Sequence, residues 1–206
     1  VAGCRFTADG GRLLSWSYDH TLRLWGLASG RDVCVLNGHE DRVTAAAPSP
    51  DGRWAVSGSR DGAVHHWDLS SGASVRFVQR RAEARAVFFL PDGASAVLVD
   101  AAGAVALLST ADLTVQSEVQ TGTKPLCADL SASGMELVLG GEDGRVRFLT
   151  VEGLEDSALV VTAGRRVRAS RGVFGRLLGR PRLSYVYECA CPVCRRGVES
   201  PHLPTE

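Results

Sequence analysis

Residues Gly38–Asp68 read GHEDRVTAAAPSPDGRWAVSGSRDGAVHHWD. Two turn signals interrupt the stretch, Pro50-Asp51-Gly52 and Asp61-Gly62, and short apolar runs lie between them: Val43 to Ala47, Trp54 to Val56, Ala63 to Val64. Asp-Gly between such runs marks a hairpin, because glycine enters the positive-φ region that tight turns require. The stretch therefore predicts three short antiparallel strands.

The same punctuation recurs along the chain. The first turn glycine falls at Gly10, Gly52, Gly93 and Gly134, at steps of 42, 41 and 41 residues. The second turn falls at His20, Gly62, Gly103 and Gly144, and the end of the third strand at Trp25, Trp67, Leu108 and Leu149, with the same steps. Three landmarks in one register define four units with boundaries at 1–36, 37–78, 79–120 and 121–163. Each unit supplies four strands. They are expected near 1–7, 12–17, 21–25 and 32–36; then 43–47, 53–58, 63–67 and 73–78; then 85–90, 95–100, 104–108 and 114–120; and finally 125–130, 136–141, 145–150 and 157–162. Four-stranded sheets repeating at this period predict an all-β chain of β-propeller blades, each covered by its neighbours.

The opening Gly38-His39 and the closing Trp67-Asp68 make the second unit resemble a WD40 repeat. The first unit keeps Ser15, Asp19 and Trp25 of that pattern. The third has Leu98, Ala102 and Leu108 at the matching places, and the fourth keeps Asp143 between Leu139 and Leu149. WD40 rings usually have more blades than four, and the pattern is already under way at Val1. The expectation is an open arc of a larger ring, from the C-terminal part of a longer protein whose upstream domains are missing here. Such an arc would leave two apolar flanks uncovered.

His39, Ser57 and Asp61 in one unit invite a hydrolase triad reading. Against it, Val56-Ser57-Gly58 sits inside a strand and no G-x-S-x-G elbow is present. The resemblance implies a structural tetrad instead. Asp61 would accept from His39, His39 would reach Ser57, and Ser57 would reach the Trp67 indole, with Ser15, Asp19 and Trp25 the corresponding set in the first unit. His65 and His66 are adjacent on a strand, so they point to opposite faces and cannot share a metal. They read as satisfied or exposed histidines. The resemblance also implies a protein-binding rim at Tyr18, Arg42, Thr44, Arg60 and Glu142.

The chain has 206 residues, with Lys+Arg and Asp+Glu balanced at 23 each. That balance hides an asymmetry. From Gly164 onward there are nine arginines against three glutamates. No apolar run approaches the ~20 residues that span a bilayer, and no signal-peptide pattern opens the chain. Cys4, Cys34 and Cys127 are scattered in strand-like contexts and read as small hydrophobes.

Residues 164–206 read as a basic linker and an irregular, Cys-containing tail. The linker's apolar 173–178 stretch, VFGRLL, suits docking on the last blade. Cys191-Pro-Val-Cys194 has the spacing of half a zinc ribbon, with Cys189 a further candidate ligand. The tail is similar to the short zinc ribbon that follows WD40 arrays in some large bacterial signalling proteins. A truncated zinc knuckle and incidental thiols remain equally open. The function expected is a non-catalytic, cytoplasmic interaction scaffold or sensor arm that binds protein partners. The alternatives are attachment to nucleic acid or an anionic surface through the Arg-rich tail, and a hydrolase using His39, Ser57 and Asp61.

Overall fold

A computed structural model describes residues 1–152 and the strand formed by residues 182–190. The described residues form sixteen strands and no helix. The first sheet contains β1 (Gly3–Phe6), β2 (Arg12–Trp16), β3 (Leu22–Gly26) and β4 (Arg31–Leu36). The second contains β5 (Val43–Pro48), β6 (Trp54–Ser59), β7 (Ala63–Asp68) and β8 (Ser74–Gln79). The third contains β9 (Ala84–Phe89), β10 (Ser95–Asp100), β11 (Ala104–Ser109) and β12 (Val115–Gln120). The fourth contains β13 (Pro125–Leu130), β14 (Glu136–Gly141), β15 (Arg145–Glu152) and β16 (Arg182–Ala190). In every sheet the strands are antiparallel and lie in chain order.

The 41–42-residue register extends to irregularities. Each sheet has a register shift between its third and fourth strands, at Leu24/Trp25, His66/Trp67, Leu107/Leu108 and Phe148/Leu149. Bulges of this kind bend a strand and raise its twist, and each sheet carries one at the equivalent place.

The last sheet departs from expectation. Its fourth strand was predicted at 157–162, but the strand paired with β15 is β16, with Arg182 opposite Glu152 and Ala190 opposite Arg145. Residues 153–181, including 157–162, lie outside the described residues. Within 164–206, residues Arg182–Ala190 form a strand, so this part of the chain is not an irregular tail throughout.

The sheets pack face to face in chain order, as propeller blades do. Between the first and second lie Leu14, Leu22, Leu24, Leu36, Ala55 and Trp67. Between the second and third lie Val56, Val64, Ala84, Val87, Leu98 and Leu108. Between the third and fourth lie Val97, Val99, Leu107, Leu137, Leu139 and Leu149. Strands buried on both faces lose the polar/apolar alternation, which is why β10 (SAVLVD) and β11 (AVALLS) read as almost continuous apolar runs. Away from the second sheet, the first sheet exposes Phe6 and Val33.

Hydrogen bonds also cross between sheets, among them the Trp16 indole N–H to the Thr44 carbonyl at 3.2 Å. Thr44 on β5 donates through Oγ1 to the Ala84 carbonyl at 2.6 Å. Arg5 on β1 reaches past the second sheet, donating from Nη1 to the Val87 carbonyl at 3.2 Å with its guanidinium 4.8 Å from the Phe88 ring centroid.

Candidate functional site

In each sheet, the turn joining the second and third strands shares an end with the start of the first strand. The expected rim residues converge at this end. The opposite end carries the first-to-second and third-to-fourth strand connections.

The second sheet has the most complete polar network. Trp67 Nε1 donates to Ser57 Oγ at 2.8 Å, and His39 Nε2 lies 2.6 Å from the same oxygen. Ser57 Oγ accepts from the indole N–H and shares a second hydrogen bond with His39 Nε2, whose direction follows the imidazole tautomer. His39 packs against His65 with the ring planes tilted by 60° and the centroids 4.3 Å apart. Burial first, then the neighbouring His65, pushes the His39 pKa down to about 3, so the ring is neutral at pH 7. Ser57 is 0% exposed.

One expected link differs. The resemblance paired Asp61 with His39, but the Asp61 carboxylate accepts from the Ser59 hydroxyl and from the Ala63 N–H at 2.8 Å. His39 Nδ1 is left buried without a hydrogen-bond partner. The local reason is an Asx-type turn, in which the carboxylate satisfies donors two residues away before reaching a more distant ring. Burial raises the Asp61 pKa, but the Ser59 and Ala63 hydrogen bonds outweigh it and the net shift is downward.

The other units fasten the same turn with different residues. In the first, Trp25 Nε1 donates to Ser15 Oγ at 2.9 Å, and Asp19 accepts from the Thr21 N–H at 3.0 Å and its hydroxyl at 2.7 Å. In the third, where Ala102 replaces the turn aspartate, Asp100 accepts from the N–H groups of Ala102 and Ala104, each at 2.9 Å. In the fourth, Asp143 binds Arg147 through both oxygens, at 3.1 and 2.7 Å. Sequence reading missed Asp100 and Arg147. The signal was present in the register, since Asp100 stands at the Ser59 position and Arg147 at the His65 position.

At the rim, Tyr18 is exposed and the Arg42 guanidinium lies 5.3 Å from its ring centroid. The Arg60 N–H donates to the Arg42 carbonyl at 2.9 Å, so the two arginines share one edge. Glu142 pairs with Lys124 at 3.7 Å. Thr44 does not belong with them, because its hydroxyl is committed to the Ala84 carbonyl and lies 3.2 Å from the Gly58 carbonyl. The Thr44 hydroxyl lies at the seam between the second and third sheets and finds its partner across it.

At the opposite end, between the second and third sheets, lies a cavity of about 460 Å³. Trp54, His66, Arg76, Pro91, Asp92 and Thr110 are among the residues around it. His66, read from the sequence as satisfied or exposed, is buried, and neither ring nitrogen has a hydrogen-bond partner. His65 is buried on the other face of β7, with Nδ1 2.8 Å from Ser74 Oγ.

Of the expected zinc ligands, Cys191 and Cys194 lie outside the described residues, and Cys189 is placed only by the backbone pairing of β16 with Val146. Among the described residues no cluster of three His, Cys, Asp or Glu suits a metal, and no helix is long and apolar enough to cross a membrane.

Residues 30–68 match the family model for the WD domain, G-beta repeat. The chain is 29% identical over 154 residues to the small ribosomal subunit protein RACK1y of Oryza sativa subsp. japonica, covering 71% of this chain and 46% of that protein. It is 28% identical over 156 residues to the eukaryotic translation initiation factor 3 subunit I of Aspergillus terreus, covering 69% and 46%. A shorter match, 41% over 73 residues, is to the nuclear distribution protein nudF of Emericella nidulans, covering 34% and 16%. The chain spans about half the length of the first two.

Proposed function

We propose that this chain is an arc of WD40-type blades from a larger ring, acting as a non-catalytic scaffold that binds a protein partner at its Tyr18–Arg42–Arg60 rim. The carrying observation is the use made of the most reactive-looking residues. Ser57 is fully buried between Trp67 and His39, where no substrate reaches it. The exposed side chains at that end include an aromatic ring and two arginines, residue types that anchor protein interfaces. Similarity to RACK1y and to the initiation factor subunit over more than two thirds of the chain supports the blade assignment. A cytoplasmic location and a zinc site at Cys191 and Cys194 belong to the same reading as separate proposals, the second tested by metal analysis of the purified chain.

The test is a photo-crosslinking side chain at Tyr18, with a matched one at Val33 as a control away from the rim. The reading expects one protein partner to be captured at Tyr18 and lost in the Arg42→Glu/Arg60→Glu double variant, whose melting is unchanged. Capture indifferent to that substitution overturns it. Labelling by a serine-directed probe is expected to be absent, and covalent capture at Ser57 would establish the hydrolase instead.

A further inference from the structure

The rim leaves unused the cavity at the other end of the second and third sheets. Its volume, about 460 Å³, lies within the range of small-ligand sites. It is built from residues of two equivalent turns, Pro50-Asp51 and Pro91-Asp92-Gly93, together with Trp54 on β6, His66 on β7, Val75 and Arg76 on β8, and Thr110 just beyond β11. The Trp54 ring lies 5.0 Å from that of His66, and its indole also carries the Arg53 guanidinium at 4.7 Å. Trp54 and the two prolines therefore form the apolar wall.

The polar lining divides into committed and uncommitted groups. Ser49 is hydrogen-bonded to Asp51 and to the Trp54 N–H. Thr110 Oγ1 donates to the Gly93 carbonyl at 3.0 Å. Asp51 and Asp92 each spend one carboxylate oxygen on backbone amides of their own turns. Two groups are left over. Arg76 is exposed on the outermost strand and forms no ion pair among the described residues. His66 is 7% exposed, and both of its ring nitrogens are unpartnered. A neutral imidazole always presents one donor and one acceptor, and burying both unmet carries a cost that proteins seldom leave standing.

We propose that this cavity is a second binding site, which takes a side-chain carboxylate of an extended peptide between Arg76 and His66. The guanidinium and the imidazole N–H supply charge-assisted hydrogen bonds to one carboxylate. The second oxygens of Asp51 and Asp92 accept peptide N–H groups, and the adjoining side chain packs on Trp54 and Pro91. His66 stays neutral in this role, since burial first, and the Arg76 charge second, lower its pKa. Among the described residues no strand pairs with the outer edge of β8, and that edge gives an extended chain a strand to run beside. The site lies at the opposite end from the Tyr18–Arg42–Arg60 rim, so it stands whether or not that rim binds a partner.

The experiment uses the full chain and capped hexapeptides, Leu-Pro-Glu-Leu-Thr-Ala and the same sequence with Gln for Glu. Binding is followed through the His66 ring signals in NMR and by calorimetry. The Glu peptide is expected to bind roughly tenfold tighter than the Gln peptide, the scale of one charge-assisted contact, and to shift the His66 ring resonances. Arg76→Ala, at an exposed position that leaves folding intact, is expected to abolish that preference, while Arg42→Glu leaves it unchanged. Equal binding of the two peptides, no binding of either at millimolar concentration, or a preference that survives Arg76→Ala overturns the proposal.

Discussion

Arg147 grips the carboxylate of Asp143 through both terminal nitrogens, at 2.7 and 3.1 Å, from the register position that His65 holds in the second sheet. The fourth sheet lacks the serine and the tryptophan at the other two places, and this pair secures its turn in their stead. The Arg147 side chain is 4% exposed and that of Asp143 is 34% exposed. Removing the guanidinium leaves a half-wet carboxylate, so Arg147→Met is expected to cost about 2 kcal/mol, below the range for a fully buried pair. Urea denaturation of the full chain measures it.

The same pair sets an acid limit. Hydrogen bonding to Arg147 holds the Asp143 pKa down at about 2. A carboxylate whose folded pKa is depressed contributes stability that is present above its unfolded pKa, near 4. That contribution is lost as pH falls from about 4 through about 2. Asp143→Asn should flatten this part of the stability–pH curve.

Histidine acts in a higher window. Burial keeps His39 neutral, with its pKa near 3, and burial also lowers His65 and His66. The unfolded chain takes up protons at these rings from about pH 6.5 downward, ahead of the folded chain. Stability is therefore expected to fall steadily from pH 6.5 toward pH 3, in proportion to the protons the folded state refuses. Replacing His65 by Phe, which keeps the stack against Phe77, should reduce the slope measured by urea midpoints at pH 7, 5 and 4.

Trp67 and Ser57 share one buried hydrogen bond, whereas Trp25 and Ser15 form theirs in a half-buried setting. Ser57→Ala strands both the indole N–H and the His39 ring, and should cost about 2–3 kcal/mol. Ser15→Ala strands one partly wet donor, and should cost about 1 kcal/mol or less. Thermal melts of the two variants side by side test the ranking, and equal losses would contradict the burial argument.

Gly58 faces Ala84 across the second and third sheets, where an added Cβ would collide with that of Ala84. Gly58→Ala should destabilise by about 1–3 kcal/mol through overpacking. At His20, φ is 72°, in the turn position held by Gly62, Gly103 and Gly144 in the other units. His20→Gly removes left-handed strain but adds unfolded-state entropy, for an expected net gain of about 0.5 kcal/mol. Calorimetric melting points of both variants measure these effects, with Gly11→Ala as a control at which an added Cβ meets nothing nearer than the Asp9 carboxylate at 3.6 Å.

Much of this fold was legible because turns need particular residues at fixed intervals. The glycines at 10, 52, 93 and 134 all have positive φ, near 70°, and the strands between them follow. The fourth strand of the last sheet was not legible, because periodicity marks where strands pair and is silent on the chain that joins them. The run at 157–162 matched the average spacing, while Arg182–Ala190 supplied the pairing. In the candidate site, His39, Ser57 and Trp67 meet, in the arrangement that the resemblance implied. The direction of the Asp61 side chain depended on competition from Ser59, and that of Thr44 on a carbonyl in the neighbouring sheet. Choices of this kind turn on ångström-scale proximity in three dimensions, which residue spacing along the chain does not carry.

Arg5 has a consequence for how such an array comes apart. A row of blades that touch only their neighbours loses its end unit at a cost set by a single interface. The bond from Arg5 to the Val87 carbonyl couples the first blade to its second neighbour. Fraying at the N-terminal end is thereby felt two blades away, and unfolding should be more nearly all-or-none than a nearest-neighbour sum predicts.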